Sequence, residues 1–169
     1  MVGVAYAFQD THLGRIGRKN VASSLPAGST SNTEAIGAAM PPFIFIATNR
    51  LKPGQLDRER KRVPGLVEFI STNEPRLIAF NEYVNKGGDE VTVVQIHPDT
   101  ASMEAHMGIV RERAQEAYAE TLDATVRVQV FGEPSDAILE TLRVQAGNGV
   151  EITVNGEHLG GFTRSAAQH

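Results

Sequence analysis

The most constraining feature of this chain is the order in which its apolar residues change period between Phe43 and Phe131. Phe43-Ile44-Phe45-Ile46-Ala47-Thr48-Asn49 is dense in β-forming residues and stops at the turn Lys52-Pro53-Gly54. From Gln55 to Thr72 the residues Leu56, Val63, Leu66, Val67 and Ile70 follow a helical stripe. Pro64-Gly65 interrupts it, which predicts a kink or two abutting helices, with Pro64 in the first turn of the second. Arg76 to Val84 and Glu90 to His97 read as strands around the glycine-bearing loop Asn85-Lys86-Gly87-Gly88-Asp89. Past His97-Pro98-Asp99, a second helix capped by Thr100 or Ser102 runs to Thr121, with Met103, Met107, Val110 and Ala114 facing inward. Thr125 to Phe131 forms a last strand, alternating Val126, Val128 and Val130 with Arg127 and Gln129.

The resulting order, β-α-β-β-α-β, is the split β-α-β arrangement of ferredoxin-like α+β folds: a four-stranded antiparallel sheet with two helices on one face. This assigns residues 43–132 to one domain. Residues 133–169 form a C-terminal extension packing on it, in which Ser135 caps a helix through Gln145, Gly147 sits at its C′ position and Asn155-Gly156 turns a small hairpin. Residues 1–42 read as a flexible arm, because Val21 to Pro42 is crowded with small polar residues that bury too little apolar area to offset the entropy of ordering them. Arg15, Arg18 and Lys19 would make the arm a partner-binding tail; alternatively it is a simple flexible leader, or translation starts at Met40.

The strands also bear on assembly. Phe43, Phe45 and Ala47 alternate with Ile44 and Ile46, and Val91 and Val93 with Val94 and Ile96, so both faces are apolar. Two helices cover only one face of such a sheet, and a solvated face would alternate with polar residues. The C-terminal extension could cover part of the second face; a second copy of the chain is the simpler cover, which predicts a homodimer packed sheet to sheet.

Composition narrows the function classes. With no cysteine among 169 residues, disulfides, thiolate metal sites and a thiol nucleophile are excluded, in keeping with a cytoplasmic location. A net charge of −4 offers no attraction to nucleic acid or anionic membrane. No apolar run approaches the ~20 residues that a spanning helix needs. His97, Asp99, Glu104 and His106 lie close in sequence but match no zinc or calcium motif, so no metal is expected.

Between Phe43 and Phe131 the chain resembles the antibiotic biosynthesis monooxygenase-like domains of the dimeric α/β-barrel superfamily. The likeness rests on the element order, on Ile46-Ala47-Thr48-Asn49-Arg50-Leu51-Lys52-Pro53-Gly54, and on Val93-Val94-Gln95-Ile96-His97-Pro98-Asp99-Thr100-Ala101-Ser102-Met103. It implies a homodimer, a small aromatic or apolar ligand, and oxidation of a quinol-like substrate by molecular oxygen without any cofactor, since a deprotonated substrate can itself pass an electron to oxygen. Other members open haem; many carry a tryptophan at the end of strand three, where this chain has His97, which argues against that activity. The alternative is a non-catalytic ligand-binding or structural module of the same fold.

Under this reading His97 is the base that takes a phenol proton. Asn49 matches the asparagine that several members hold near the substrate at the end of strand one. His106, beside the buried stripe of the second helix, together with Asn81, Tyr83 and Gln95, would bind the substrate. Each also has a plainer reading: a strand-end histidine bonded to backbone, a boundary histidine, a turn-forming asparagine, or solvent-facing polar residues.

Overall fold

The structure, a computed structural model, describes residues 41–163; the arm expected over 1–42 lies outside the described residues except for Pro41 and Pro42, as does the end of the C-terminal extension. The elements are β1 (Phe43–Leu51), α1 (Leu56–Asn73), β2 (Ala79–Val84), β3 (Glu90–His97), α2 (Thr100–Ile109), α3 (Arg111–Glu120), β4 (Leu122–Phe131), α4 (Asp136–Ala146) and β5 (Glu151–Asn155). They build one sheet in the order β2-β3-β1-β4-β5. Its first four strands pair antiparallel in the expected ferredoxin-like order, and the two apolar strands β1 and β3 lie side by side.

Four details differ from the sequence expectation. Pro64 lies inside a continuous α1 and does not divide it; the proline removes one rung without ending the helix. The second helix is divided instead, at Val110, into α2 and α3. Its cap is Asp99, whose carboxylate accepts from the Ser102 amide at 2.8 Å, while the Thr100 hydroxyl donates to the Glu133 carbonyl. After the expected helix, a single strand stands where the sequence predicts a hairpin: β5 pairs with β4 in parallel, and no strand returns after Asn155-Gly156 among the described residues. Ser135 does cap α4, accepting from the Ile138 amide, and Gly147 follows it at φ 85°.

Helices and strands meet on one face. Phe43, Phe45, Ala47, Val128 and Val130 pack with Met103 of α2 and with Ile138 and Leu142 of α4 into one buried cluster. Leu51, Val91, Ala117 and Leu122 form a second. Helix α4 of the extension therefore thickens the helical layer, while the tail from His158 to Phe162 lines a second cavity with Ile44 and Phe131 at one end of the sheet. The opposite face presents Ile44, Ile46, Val94 and Ile96, all half-buried, in register along β1 and β3. Val126 leaves the expected alternation: β1 and β4 slip register between Thr48 and Asn49, which turns Thr125 inward opposite Asn49 and leaves Val126 exposed.

Candidate functional site

Between the sheet and the helices lies a cavity of about 150 Å³. An apolar cavity of that order holds one benzene-sized ring. Its walls are mainly aliphatic and aromatic: Phe45, Ala47, Val91 and Val93 from the sheet; Leu66 and Ile70 from α1; Met103 and Met107 from α2; and Leu142 from α4. Three groups of polar side chains reach it.

The first group surrounds Asn49. Its Oδ1 accepts from the Tyr118 hydroxyl at 2.9 Å and from Thr125 Oγ1 at 3.1 Å, and the two hydroxyls are 2.5 Å apart. The β-bulge makes this cluster by turning Thr125 toward Asn49. With Oδ1 engaged, the amide orientation of Asn49 is set, and its NH₂ is the end suited to donate to a ligand oxygen.

The second group joins two histidines. His106 lines the cavity, and its Nδ1 lies 2.8 and 2.9 Å from the carboxylate of Glu74, the residue that ends α1. Both side chains are buried. A carboxylate on Nδ1 fixes the tautomer that leaves Nε2 as a proton acceptor. His97 lies behind His106, edge to face, and is fully buried outside the cavity wall. Its Nδ1 is 3.2 Å from Ser102 Oγ and its Nε2 3.2 Å from Gln95 Oε1. Burial, aided by the neighbouring His106, pushes its pKa down to about 4. With both nitrogens engaged and its basicity suppressed, His97 is placed to orient Gln95, which does line the cavity, and not to touch a ligand.

The third group was not legible as a site in the sequence. Glu59, facing inward from α1, receives two hydrogen bonds from Arg62, at 2.6 and 2.8 Å, and one from the Thr121 hydroxyl at 2.6 Å. These bonds outweigh the burial and hold its carboxyl below the ordinary range. Glu82 of β2 lies on the same wall, its nearest oxygen 3.9 Å from Arg62. Burial, a hydrogen bond from its protonated form to the Glu59 carboxylate, and the charge of that carboxylate push its pKa up to about 8.

The sequence expectations thus divide. Asn49, Gln95 and His106 line one cavity; Asn81 and Tyr83 do not, because they point from β2 to the opposite face of the sheet, where both are exposed. The inward positions of β2 are Phe80 and Glu82. Phe80, the apolar residue of that pair, is the signal that could have fixed the parity. No group of metal-binding side chains occurs among the described residues.

No protein-family model matches the chain, and no curated protein matches it. Solved structures do. MupZ from Pseudomonas fluorescens is 17% identical, with a TM-score of 0.58 over 73% of this chain and 94% of its own. A structure named antibiotic biosynthesis monooxygenase is 19% identical over 55% of this chain and 99% of its own, with a TM-score of 0.47. Rv0793 from Mycobacterium tuberculosis is 17% identical over 57% and 99%, with a TM-score of 0.45. At 17% identity the likeness to MupZ is one of architecture, and the strand order of this chain makes that architecture a ferredoxin-like α+β fold.

Proposed function

We propose that the cavity binds a small aromatic or similarly apolar molecule and that the chain oxidises it with molecular oxygen, as a cofactor-independent monooxygenase. The observation that carries this reading is the Glu74-oriented His106 lining a mainly apolar cavity that the Asn49 amide also lines. In this scheme His106 Nε2 takes a phenolic proton, and Asn49 holds a substrate oxygen. The resulting phenolate gives up electrons to oxygen; a ring C–H position becomes a carbonyl, with one oxygen atom entering the product and the other leaving as water. The base role first expected of His97 passes to His106, and His97 positions Gln95 behind it.

A cavity of about 150 Å³ favours single-ring hydroquinones over three-ring anthrones. Oxygen consumption with a panel of substituted hydroquinones tests the reading directly. Binding without oxygen uptake would leave a ligand-binding module, the reading favoured by how apolar the cavity is.

The working unit of this proposal is a homodimer. Ile44, Ile46, Val94 and Ile96 give the helix-free face of the sheet an apolar centre, and α4 packs on the other face. A second copy would cover it. The chain's net charge of −4 keeps nucleic acid out of this scheme, and no helix among the described residues is long and apolar enough to cross a membrane.

A further inference from the structure

Glu82 occupies a position that the oxidation scheme does not use. Its side chain is 4% exposed, it lines the cavity, and among the described residues no N–H or hydroxyl donor reaches Oε1 or Oε2, which leaves the neighbouring Glu59 carboxyl as the group it can bond. Buried carboxyls ordinarily find partners. Arg62, the nearest cation, is committed to Glu59 by two hydrogen bonds and approaches Glu82 no closer than 3.9 Å. Two carboxyls in one apolar pocket cannot both ionise cheaply, so the one with the hydrogen bonds keeps the charge and the other keeps the proton. Glu59 has the bonds. Glu82 is then a neutral acid whose O–H either bonds the Glu59 carboxylate or turns into the cavity it lines.

We propose that Glu82 is the proton donor of this cavity, and that its carboxylic acid hydrogen-bonds an acceptor oxygen (a carbonyl or phenolate-type oxygen) on a small, otherwise apolar ligand. When negative charge builds on that oxygen, the Glu82 O–H bond breaks and the proton passes to the ligand. Glu82 is left as a carboxylate facing Arg62, and water returns the proton once the product has left. Glu59, Arg62 and Thr121 act as positioning residues: they fix the neighbouring charge that keeps Glu82 protonated. The other charged or titratable groups on the cavity wall are His106 of α2 and Arg111, Arg113 and Tyr118 of α3; β3, which pairs with β2, contributes only Val91, Val93 and Gln95. The inference rests on the cavity being the ligand site proposed above, but not on oxygen chemistry.

The test uses the full chain and two probes with equal numbers of heavy atoms, acetophenone and isopropylbenzene, with binding followed by calorimetry. Below the Glu82 transition, wild type should prefer acetophenone by roughly two- to tenfold more than Glu82→Leu does, the worth of one hydrogen bond. Above about pH 9 the wild-type preference should vanish, because the ionised carboxylate no longer donates. Glu82→Gln, which retains an N–H donor, should keep its preference at both pH values. Infrared difference spectra of the unliganded protein should show a protonated-carboxyl band at neutral pH that Glu82→Gln removes. Equal preference in wild type and Glu82→Leu, or a neutral-pH band that Glu82→Gln leaves intact, would overturn the proton-donor role alone. Failure of both probes to bind would overturn it together with the cavity reading. The expected preference without any oxygen uptake by hydroquinones would support it and overturn only the oxygenase scheme.

Discussion

The rings of His97 and His106 meet edge to face with their centroids 5.4 Å apart, yet only His106 touches the cavity. The two histidines therefore divide the work: one faces the ligand site, and the other is locked between Gln95 and Ser102.

This division has a pH signature. His97 titrates near 4 in the folded chain against an ordinary value of 6.5, so the unfolded state takes up its proton first and His97 destabilises the fold as pH falls from about 6.5 to 4. Glu82 acts in the opposite sense. Its folded value near 8 lies above the ordinary 4.5, so the folded state holds the extra proton and Glu82 costs stability as pH rises through that window. The two slopes oppose one another between about 4.5 and 6.5, and only the Glu82 cost remains from there to 8. Urea titrations of wild type should show a plateau followed by a decline toward pH 8, bounded at about 1.4 kcal/mol per pH unit. Glu82→Gln should remove the decline; a decline of undiminished slope in that variant would disprove its source.

Activity should follow His106 and not His97. His106→Ala removes the proposed base and should lower turnover about 10²–10⁴-fold, with partial rescue at high pH where the substrate ionises unaided. Glu74→Gln should reduce turnover less, by loosening the imidazole. His97→Asn should act mainly on KM through Gln95, without the pH rescue. Steady-state oxygen uptake against pH for the three variants separates these outcomes.

Asn49 had been legible from its place at the end of an apolar strand, and His106 from its helical spacing, because both signals are local. The Asn49 partners Tyr118 and Thr125 were not, since a register slip brings them in, and a slip leaves little trace in an alternating pattern such as Val126-Arg127-Val128-Gln129-Val130. Glu59, Arg62 and Glu82 stayed hidden for a different reason. Glu59 and Arg62 on α1, and Glu82 on β2, read as ordinary charged surface, and only the packing of β2 against that helix shows that Glu59 and Glu82 line one cavity. The parallel pairing of β5 with β4 was not legible because Asn155-Gly156 is as good an end to a parallel strand as it is the middle of a hairpin.

The Asn49 cluster makes its own prediction. Tyr118→Phe removes one of the two hydroxyls bonded to Asn49 Oδ1 and leaves Thr125 as the other donor. Loss of one buried hydrogen bond should cost about 1–2 kcal/mol in thermal or urea unfolding. Ligand affinity should weaken along with it, measured by the same calorimetric titrations; unchanged stability and affinity together would show that the cluster does not hold Asn49.

The two faces of the sheet should respond differently to charge. Val130 is fully buried beneath the helices, so Val130→Asp should unfold the protein. Ile46→Lys, on the helix-free face, should leave a folded chain that no longer dimerises. Light scattering and circular dichroism on both variants check this, and wild type that scatters as a monomer at micromolar concentration would remove the dimer from the scheme.

Strand β5 has a consequence for how copies can meet. A four-stranded sheet of this order would expose the hydrogen-bonding edge of β4, ten residues long, to any passing strand. Here that edge is already occupied over Arg127 to Phe131 by the chain's own C-terminal segment, so another molecule could zip onto it there only by first peeling β5 away. The remaining outer edges belong to β2 and to the five-residue β5. The fold thereby shortens what is open to sideways growth, strand upon strand, from the ten residues of β4 to the five of β5 on that side and the six of β2 on the other.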